Sequence, residues 1–140
     1  MTTAIDTNVL ISLWDEGEDV SLKAQDALDL ALSRGSIVIS APVYSEMLGL
    51  PERSELFLDQ FFKEAGISID WILTENIWRA AGTAFQSYVQ RRRRSHFELP
   101  RRILADFLIG AHASVNGFTL LTLDQLIFKS AFRDLKIETI

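Results

Sequence analysis

The chain has 140 residues, of which 48% are hydrophobic, carries a formal net charge of −5 at pH 7 and contains no cysteine. This composition excludes a disordered protein, disulfide bonds, thiolate metal sites and cysteine nucleophiles, and the length predicts one domain that buries about two-thirds of the surface of its unfolded chain. Nucleic-acid binding by an acidic chain would need local basic residues or metal ions in an acidic pocket, and a basic protein partner is equally compatible with the charge.

The predicted elements alternate between strands and helices from the N-terminus onward. A first strand at residues 3–5 ends at Asp6, and a short helix follows over residues 9–14. The acidic run at residues 15–19 is predicted to be a solvated loop. Ser21 is the predicted N-cap of an amphipathic helix that reaches Ser33 and ends at a glycine.

The middle of the chain continues this alternation. Residues 36–40 contain a β-branched run, Ile37-Val38-Ile39, and are bounded by turn residues, which predicts a strand. Pro42 suits the start of a helix, and the helix itself is predicted over residues 43–50. A second helix over residues 52–65 leads into a short third strand at residues 67–69.

The C-terminal half begins with a long helix that Thr74 caps and that reaches Gln90. The helix predicted over residues 101–115 is apolar on nearly all sides, which is typical of a buried helix. The remaining predicted elements are a loop at 95–100, a strand at 118–122, a helix at 125–132 and a strand at 135–140. This alternation predicts an α/β fold, a three-layer α/β/α sandwich with a mainly parallel sheet of four to five strands.

Four acidic residues stand out because their neighbours are apolar: Asp6, Glu46, Asp106 and Asp124. Asp6 and Asp124 each follow a predicted buried strand, so the topology can place both at the carboxyl edge of the sheet, where open α/β folds bind ligands. Glu46 and Asp106 lie in apolar helical segments. Asp106 lies on the helix predicted to be buried on all sides, where a carboxylate needs a basic side chain, a helix N-terminus or a metal ion beside it.

Three of these acids also have a purely structural interpretation, in addition to the partners considered above for Asp106. Asp6 and Asp124 belong to a residue type that is favoured at helix N-caps, and Glu46 to one that is common on helix surfaces. As a group, however, they match the preference of Mg²⁺ and Mn²⁺ for carboxylate oxygens, water and substrate phosphates. Such an ion polarises a phosphoryl oxygen and lowers the pKa of a bound water, so phosphodiester hydrolysis then needs no nucleophilic side chain.

Four stretches, in chain order over the whole sequence, resemble the blocks of the PIN domain and, more narrowly, of the small bacterial VapC-type toxins. They are Ile5-Asp6-Thr7-Asn8-Val9-Leu10-Ile11, Ser45-Glu46-Met47-Leu48, Ala105-Asp106-Phe107-Leu108-Ile109-Gly110-Ala111-His112-Ala113 and Leu121-Thr122-Leu123-Asp124. The resemblance implies a single PIN-like domain over residues 1–140. Asn8 and Thr122 match positions that support the acids by hydrogen bonds. Leu123 departs from the frequent Thr-Arg-Asp form, which removes the usual basic neighbour of the last acid.

The resemblance implies an Mg²⁺- or Mn²⁺-dependent endoribonuclease, the toxin of a toxin–antitoxin pair. Three of the acids, Asp6, Asp106 and Asp124, would hold the ion, and Glu46 would complete the pocket and orient the attacking water. The implied partners are an RNA substrate, a small antitoxin protein that presents a basic side chain to the pocket, and a second copy of the chain. Exposed aromatic residues of the helix at 52–65 are candidates for an interface, and core packing is the alternative for most of them.

Two other functions use a similar fold. A PIN-like module that binds RNA or protein without cutting would be indicated by the loss of an acid, and all four are present. A phosphate-accepting receiver domain would need a lysine near the last strand and a pair of aspartates near the first, and the sequence has neither arrangement.

Six arginines form the dense basic region of the sequence: Arg91, Arg92, Arg93, Arg94, Arg101 and Arg102. They are candidates for contacts with the RNA backbone. The alternative is that the first four are a solvated helix C-terminus, which the helix dipole favours. Of the two histidines, His112 is predicted to lie in the core, and His96 has no assignment.

The expected location is the cytoplasm, without membrane attachment. The N-terminus has no basic stretch followed by an apolar run, and no segment has the length and apolar character of a membrane span. The absence of cysteine agrees with a reducing compartment.

Overall fold

A parallel sheet forms the centre of the fold. The structure, a computed structural model, describes residues 1–14 and 17–140, so residues 15 and 16 of the predicted acidic loop lie outside the described residues. The strands of the described chain are β1 (Thr2–Ile5), β2 (Ser36–Ser40), β3 (Ile67–Asp70), β4 (Thr119–Leu121) and β5 (Lys136–Glu138). They form one five-stranded sheet in the order β3-β2-β1-β4-β5, and every neighbouring pair is parallel.

Helices connect the strands and complete a three-layer α/β/α sandwich, which confirms the predicted fold class. In the described chain they are α1 (Thr7–Leu13), α2 (Glu18–Arg34), α3 (Ala41–Leu48), α4 (Glu55–Ala65), α5 (Glu75–Arg94), α6 (Leu104–Asn116) and α7 (Gln125–Ala131). Within the described residues, no helix is both long enough and apolar enough to cross a bilayer.

The strand order decides where the candidate site forms. The chain moves from β1 outward through β2 to β3, and later returns to the other side of β1 with β4 and β5. β1 and β4 are paired in register, with Ile5 opposite Leu121, and the backbone N–H of Asp6 donates to the carbonyl of Leu121 at 3.0 Å. Ligands of open α/β sheets bind at such a reversal of strand order. The segments that follow β1 and β4 therefore meet at the carboxyl edge of the sheet.

The core surrounds the inner strands and the buried part of α6. All three residues of β4 are buried, as expected for a parallel strand covered on both faces. Residues 107–113 of α6 are buried without interruption, which confirms the buried helix predicted from its composition. Helix α5 packs on α6 through Phe85 and Tyr88, whose rings each lie 5.4 Å from that of Phe107.

Two predicted helix starts were wrong because a local hydrogen bond or backbone conformation prevails. Helix α2 begins at Glu18 rather than at Ser21, and the Ser21 hydroxyl donates to the Leu13 carbonyl at 3.0 Å instead of capping a helix. Helix α4 begins after Ser54, whose hydroxyl accepts from the N–H of Phe57 at 3.1 Å, because Glu52 has a φ of 61°.

Other predicted boundaries also moved: α1 runs over residues 7–13 rather than 9–14, and residues 18 and 19 of the predicted acidic loop belong to α2. Helix α3 runs over residues 41–48 rather than 43–50. Helix α5 continues to Arg94 rather than ending at Gln90, so the arginine run is helical. Helix α6 begins at Leu104 rather than at Arg101, which places Asp106 in its first turn.

Two glycines on adjacent helices should respond in opposite directions to replacement by alanine. A Cβ on Gly110 of α6 would lie 2.4 Å from Cε2 of Phe132 and 2.9 Å from Cδ1 of Phe128, so Gly110→Ala is expected to cost about 1–3 kcal/mol by overpacking. A Cβ on Gly82 of α5 would meet no atom within 4 Å, so Gly82→Ala should stabilise the fold by about 0.5–1 kcal/mol through helix propensity. Urea unfolding measures both changes, and equal stabilisation by the two alanines would contradict the tight contact at Gly110.

Candidate active site

The four acids singled out in the sequence line one cleft at the carboxyl edge of the sheet. The cleft has a volume of about 210 Å³. Its lining residues are Asp6, Thr7, Asn8, Ile11, Glu46, Arg102, Asp106, Asp124, Ile127 and Phe128. The acids come from four separate segments: the ends of β1 and β4, helix α3 and the first turn of α6. The tertiary fold thus brings together carboxylates that are far apart in the sequence.

Asp6 is the most buried of the four, with 6% of its surface exposed. Its Oδ1 accepts from the N–H of Thr7 at 2.7 Å, and its Oδ2 accepts from the hydroxyl of Thr122 at 2.7 Å. Burial raises the pKa of Asp6 to about 6, against the lowering effect of these two hydrogen bonds, and the charges of Asp106 and Glu46 raise it further. Asp6 is therefore the N-cap of α1 and also a carboxylate whose pKa, about 6, lies close to neutral pH.

Thr122 and Asn8 connect the segment after β4 to helix α1. The fully buried hydroxyl of Thr122 donates to Asp6 and accepts from the backbone N–H of Asp124 at 3.0 Å. The side-chain amide of Asn8 donates to the same hydroxyl at 3.5 Å, and its carbonyl oxygen accepts from the N–H of Leu123 at 3.2 Å. These contacts hold the two strand ends, and with them the carboxylates of Asp6 and Asp124, in a fixed relation.

Glu46 is held by a hydroxyl from the neighbouring helix. Thr7 on α1 donates from Oγ1 to Oε1 of Glu46 at 2.7 Å, and the half-buried glutamate faces the cleft rather than the outer surface of α3. Thr7 was not singled out in the sequence as a partner of an acid. Its position directly after Asp6, at the first residue of a helix that starts at the sheet edge, is the sequence signal that could have identified it.

Asp106 lies in a different environment from the one its sequence context predicted. It is half-buried in the first turn of α6, where its Oδ2 accepts from the N–H of Ile103 at 3.4 Å. Burial raises the pKa of Asp106, the Ile103 N–H and the charge of Arg102 oppose the rise, and the charge of Asp124 adds to it. The expectation of a carboxylate enclosed by a fully buried helix was wrong, because the buried part of α6 begins one residue later.

Asp124 forms an ion pair with Arg102, with 2.7 Å between Oδ2 and Nη1. The Asp124 side chain makes no capping hydrogen bond to α7, so the cap interpretation is not supported. Leu123 leaves this acid without a basic neighbour in sequence, and the structure brings a cation to it from the segment before α6. Arg102 is thus part of the acidic cleft as well as of the basic region.

Comparison with known protein families identifies the fold. A family model described as "PIN domain" matches residues 3–132. The chain belongs to the PIN-domain family. No curated protein sequence matches it.

Solved structures share the PIN fold over nearly the whole chain. VapBC2 from Rickettsia felis, bound to a DNA fragment from its promoter, is 21% identical, with a TM-score of 0.71 over 99% of this chain and 98% of that chain. VapBC-1 from nontypeable Haemophilus influenzae is 17% identical, with a TM-score of 0.64 over 99% and 98%. A toxin–antitoxin complex from Klebsiella pneumoniae is 19% identical, with a TM-score of 0.59 over 90% and 89%. At these identities the likeness establishes the fold.

PIN domains generally use divalent metal ions, and the donor set of this PIN domain fits such an ion. Among residues 1–14 and 17–140, no three acidic or histidine side chains converge closely enough to enclose an ion by themselves. Mg²⁺ does not need such a cage, because it keeps several waters and takes one or two carboxylates together with substrate oxygens. The charges of Glu46 and Asp106 also raise the pKa of Asp6, and a cation in the cleft would relieve this repulsion.

The six arginines of the basic region separate into different surfaces of the PIN domain. Arg102 lines the acidic cleft. Arg92, Arg101 and Arg102 together line a second cavity. Arg91 lines a groove between α5 and α7, whereas Arg93 and Arg94 are exposed in the last turn of α5. The position of the run at a helix C-terminus agrees with its dipole interpretation, and contact with RNA stays a prediction.

His112 lies in the core of the PIN domain, as its sequence context predicted. It is fully buried on α6, and its Nε2 lies 2.9 Å from Oδ2 of Asp70 at the end of β3. Burial acts to raise the pKa of Asp70, but hydrogen bonds from His112 and from the N–H of Ile72 lower it overall. This pair connects α6 to an outer strand, away from the acidic cleft.

Proposed function

We propose that this PIN domain, as a single domain over residues 1–140, is an Mg²⁺- or Mn²⁺-dependent endoribonuclease that hydrolyses RNA phosphodiester bonds. The observation that carries the proposal is the convergence of Asp6, Glu46, Asp106 and Asp124 on one cleft at the point where the strand order reverses. A cleft with several carboxylates attracts a hard cation, and hard cations bind phosphate oxygens. A non-catalytic module would not need four acids in one cleft.

In this proposal three carboxylates hold the ion and the fourth acts beside it. Asp6, Asp106 and Asp124 would hold the ion, directly or through its bound waters, and Glu46, fixed by Thr7, would orient the attacking water. When bound, the ion supplies Lewis-acid polarisation of the phosphoryl oxygen and a water of lowered pKa. Thr122 and Asn8 hold the strand ends, as their hydrogen bonds indicate.

Arg102 has a separate role in the proposal. Its guanidinium pairs with Asp124, and the same group is suited to a substrate phosphate. The negative charge of the cleft would otherwise repel the RNA backbone. A cation at the rim of the cleft therefore favours the approach of the substrate.

We also propose that the chain is a cytoplasmic toxin that pairs with an antitoxin and forms a homodimer. A chain in each of the toxin–antitoxin and VapBC structures described above has the same fold as this chain. Several large apolar side chains on α4 and after β3 are exposed, and Leu56 is the most exposed, at 81%. Exposed apolar groups of this kind are typical of surfaces that a protein partner covers.

Removal and replacement of the metal ion tests the proposed reaction. Purified protein is expected to cut a labelled single-stranded RNA in the presence of Mg²⁺ or Mn²⁺. Cleavage should stop when EDTA is added and resume when either ion is restored in excess. Because water rather than the RNA 2′-hydroxyl is the attacking group, the product ends should carry no 2′,3′-cyclic phosphate.

Mass spectrometry of the product ends also distinguishes this reaction from cutting by a contaminating nuclease that leaves a cyclic phosphate. Cutting that persists in EDTA, or products that end in a cyclic phosphate, would contradict the assignment. Cutting of DNA at the same rate as RNA would contradict the proposed substrate class and leave the metal site in place.

A further inference from the structure

A second cavity lies beside the acidic cleft, and Arg102 lines both. Its volume is about 150 Å³. Phe85 and Tyr88 of α5 form an aromatic wall, and Arg92 and Arg101 add positive charge. No acidic residue is among its lining residues, in contrast to the neighbouring cleft. The cavity therefore combines flat apolar surfaces with cations, next to the proposed point of cleavage.

Phe97 is the most exposed aromatic side chain of this cavity, with 60% of its surface accessible. The guanidinium of Arg92 lies 4.9 Å from the centre of its ring. His96 and Phe97 both have left-handed backbone conformations, with φ values of 56° and 66°. Such a conformation is strained for residues other than glycine, and the strain is not offset here by burial of the ring.

The loop that carries these residues is fixed to α5. The N–H of Phe97 donates to the carbonyl of Arg92 at 2.8 Å, so the ring is held near the helix end. The hydroxyl of Tyr88 donates to the carbonyl of Pro100 and accepts from the N–H of Arg102 at 2.6 Å. The cavity wall and the arginine shared with the acidic cleft are thus joined through one side chain.

We propose that this cavity is a nucleobase subsite for single-stranded RNA, which takes the base of a nucleotide next to the scissile phosphate. The position relative to the scissile phosphate rests on the proposed function. The base stacks on the exposed ring of Phe97 and the guanidinium of Arg92, and the flanking phosphates pair with Arg101 and Arg102. Unpaired bases bind proteins in this way, by stacking on aromatic rings and arginine planes along a basic path.

Loss of the Phe97 ring tests the subsite in the full-length chain. Anisotropy of a fluorescein-labelled 12-nucleotide single-stranded RNA is measured in EDTA, where binding is observed without cutting. Phe97→Ala is expected to weaken binding about 10-fold, the effect of losing one stacked base. Phe97→Trp, which keeps a flat ring, should bind like the wild type.

Phe57→Ala is the matched control. Phe57 on α4 is also an exposed phenylalanine under an arginine, with Arg53 4.9 Å from its ring centre, but it lines a different cavity. Because Phe57 lies on the α4 surface proposed for a protein partner, Phe57→Ala should affect only protein association and leave the affinity for RNA unchanged. A duplex RNA of the same sequence, whose bases are already stacked, should bind Phe97→Ala and the wild type equally.

Three results would overturn the subsite. The first is that the wild-type protein does not bind the single-stranded RNA, and the second is that the Phe97→Ala and Phe57→Ala variants bind it with equal affinity. The third is that Phe97→Ala weakens only self-association or antitoxin binding. The proposed function fails separately. A chain that binds RNA through Phe97 but does not cut it with Mg²⁺ or Mn²⁺ would contradict the nuclease assignment and retain the base subsite. A chain that cuts RNA but whose binding does not depend on Phe97 would contradict the subsite alone.

Discussion

Asp106→Asn is expected to slow metal-dependent RNA cleavage by about 100-fold or more while leaving the fold intact. Removing a residue that merely supports a metal ligand typically costs 10- to 100-fold, so losing a ligand should cost at least as much. The amide oxygen of asparagine still accepts from the Ile103 N–H, and the change removes a negative charge that faces Asp6. Initial rates on labelled RNA with Mg²⁺ measure the loss, and urea unfolding verifies the fold.

The control for this variant is Asp29→Asn, which makes the same change in charge on the exposed surface of α2. Asp29 accepts a hydrogen bond from Gln25 at 3.1 Å and lies outside the cleft. The Asp29→Asn variant should cleave RNA at the rate of the wild type. If Asp29→Asn and Asp106→Asn cut RNA equally fast, Asp106 is not a metal ligand.

Without a divalent ion, Asp6 should make the folded chain less stable as the pH rises from 4 to 8. The pKa of Asp6 is raised from 3.8 to about 6 in the folded state, so the folded state holds the proton more tightly than the unfolded state. This stabilisation is fully present below the unfolded pKa and is lost as the pH rises through the folded pKa. A difference of about 2 pKa units corresponds to roughly 3 kcal/mol.

Comparison with Asp6→Asn isolates this effect, because asparagine does not titrate. Urea unfolding in EDTA measures the free energy of unfolding of both proteins. The wild-type value minus the Asp6→Asn value should decrease by up to roughly 3 kcal/mol between pH 4 and pH 8. Added Mg²⁺ should then stabilise the wild type more than the variant at pH 8. A difference between the two proteins that is independent of pH would contradict the burial of an ionisable Asp6.

Two of the four acids follow predicted strands, and for this reason the sequence alone could indicate where the candidate site lies. Asp6 and Asp124 follow strands whose β-branched and apolar residues are recognisable locally, and parallel strands deliver their ends to one edge of the sheet. The strand at residues 36–40 was likewise predicted, and the helix predicted over residues 52–65 ends where α4 ends, directly before Gly66; Gly117 follows α6 in the same way. Both glycines have left-handed backbone conformations, which favour that residue after a helix.

Periodicity, caps and turn residues act over a few positions, so the sequence by itself determined the alternation of elements, the parallel sheet and the identity of the four acids. It did not determine which carboxylate would be most buried. Asp106 was expected to be enclosed, but the later start of α6 placed it in a half-buried first turn, while the packing of β1 between β2 and β4 buried Asp6.

Only the tertiary structure decided the partners of these acids, because each contact joins segments distant in sequence. Thr7 holds Glu46, Thr122 holds Asp6, and Arg102 pairs with Asp124. The order of the strands, which no local pattern encodes, sets these distances. It also sets the burial that raises the pKa of Asp6, and therefore the electrostatic character of the cleft.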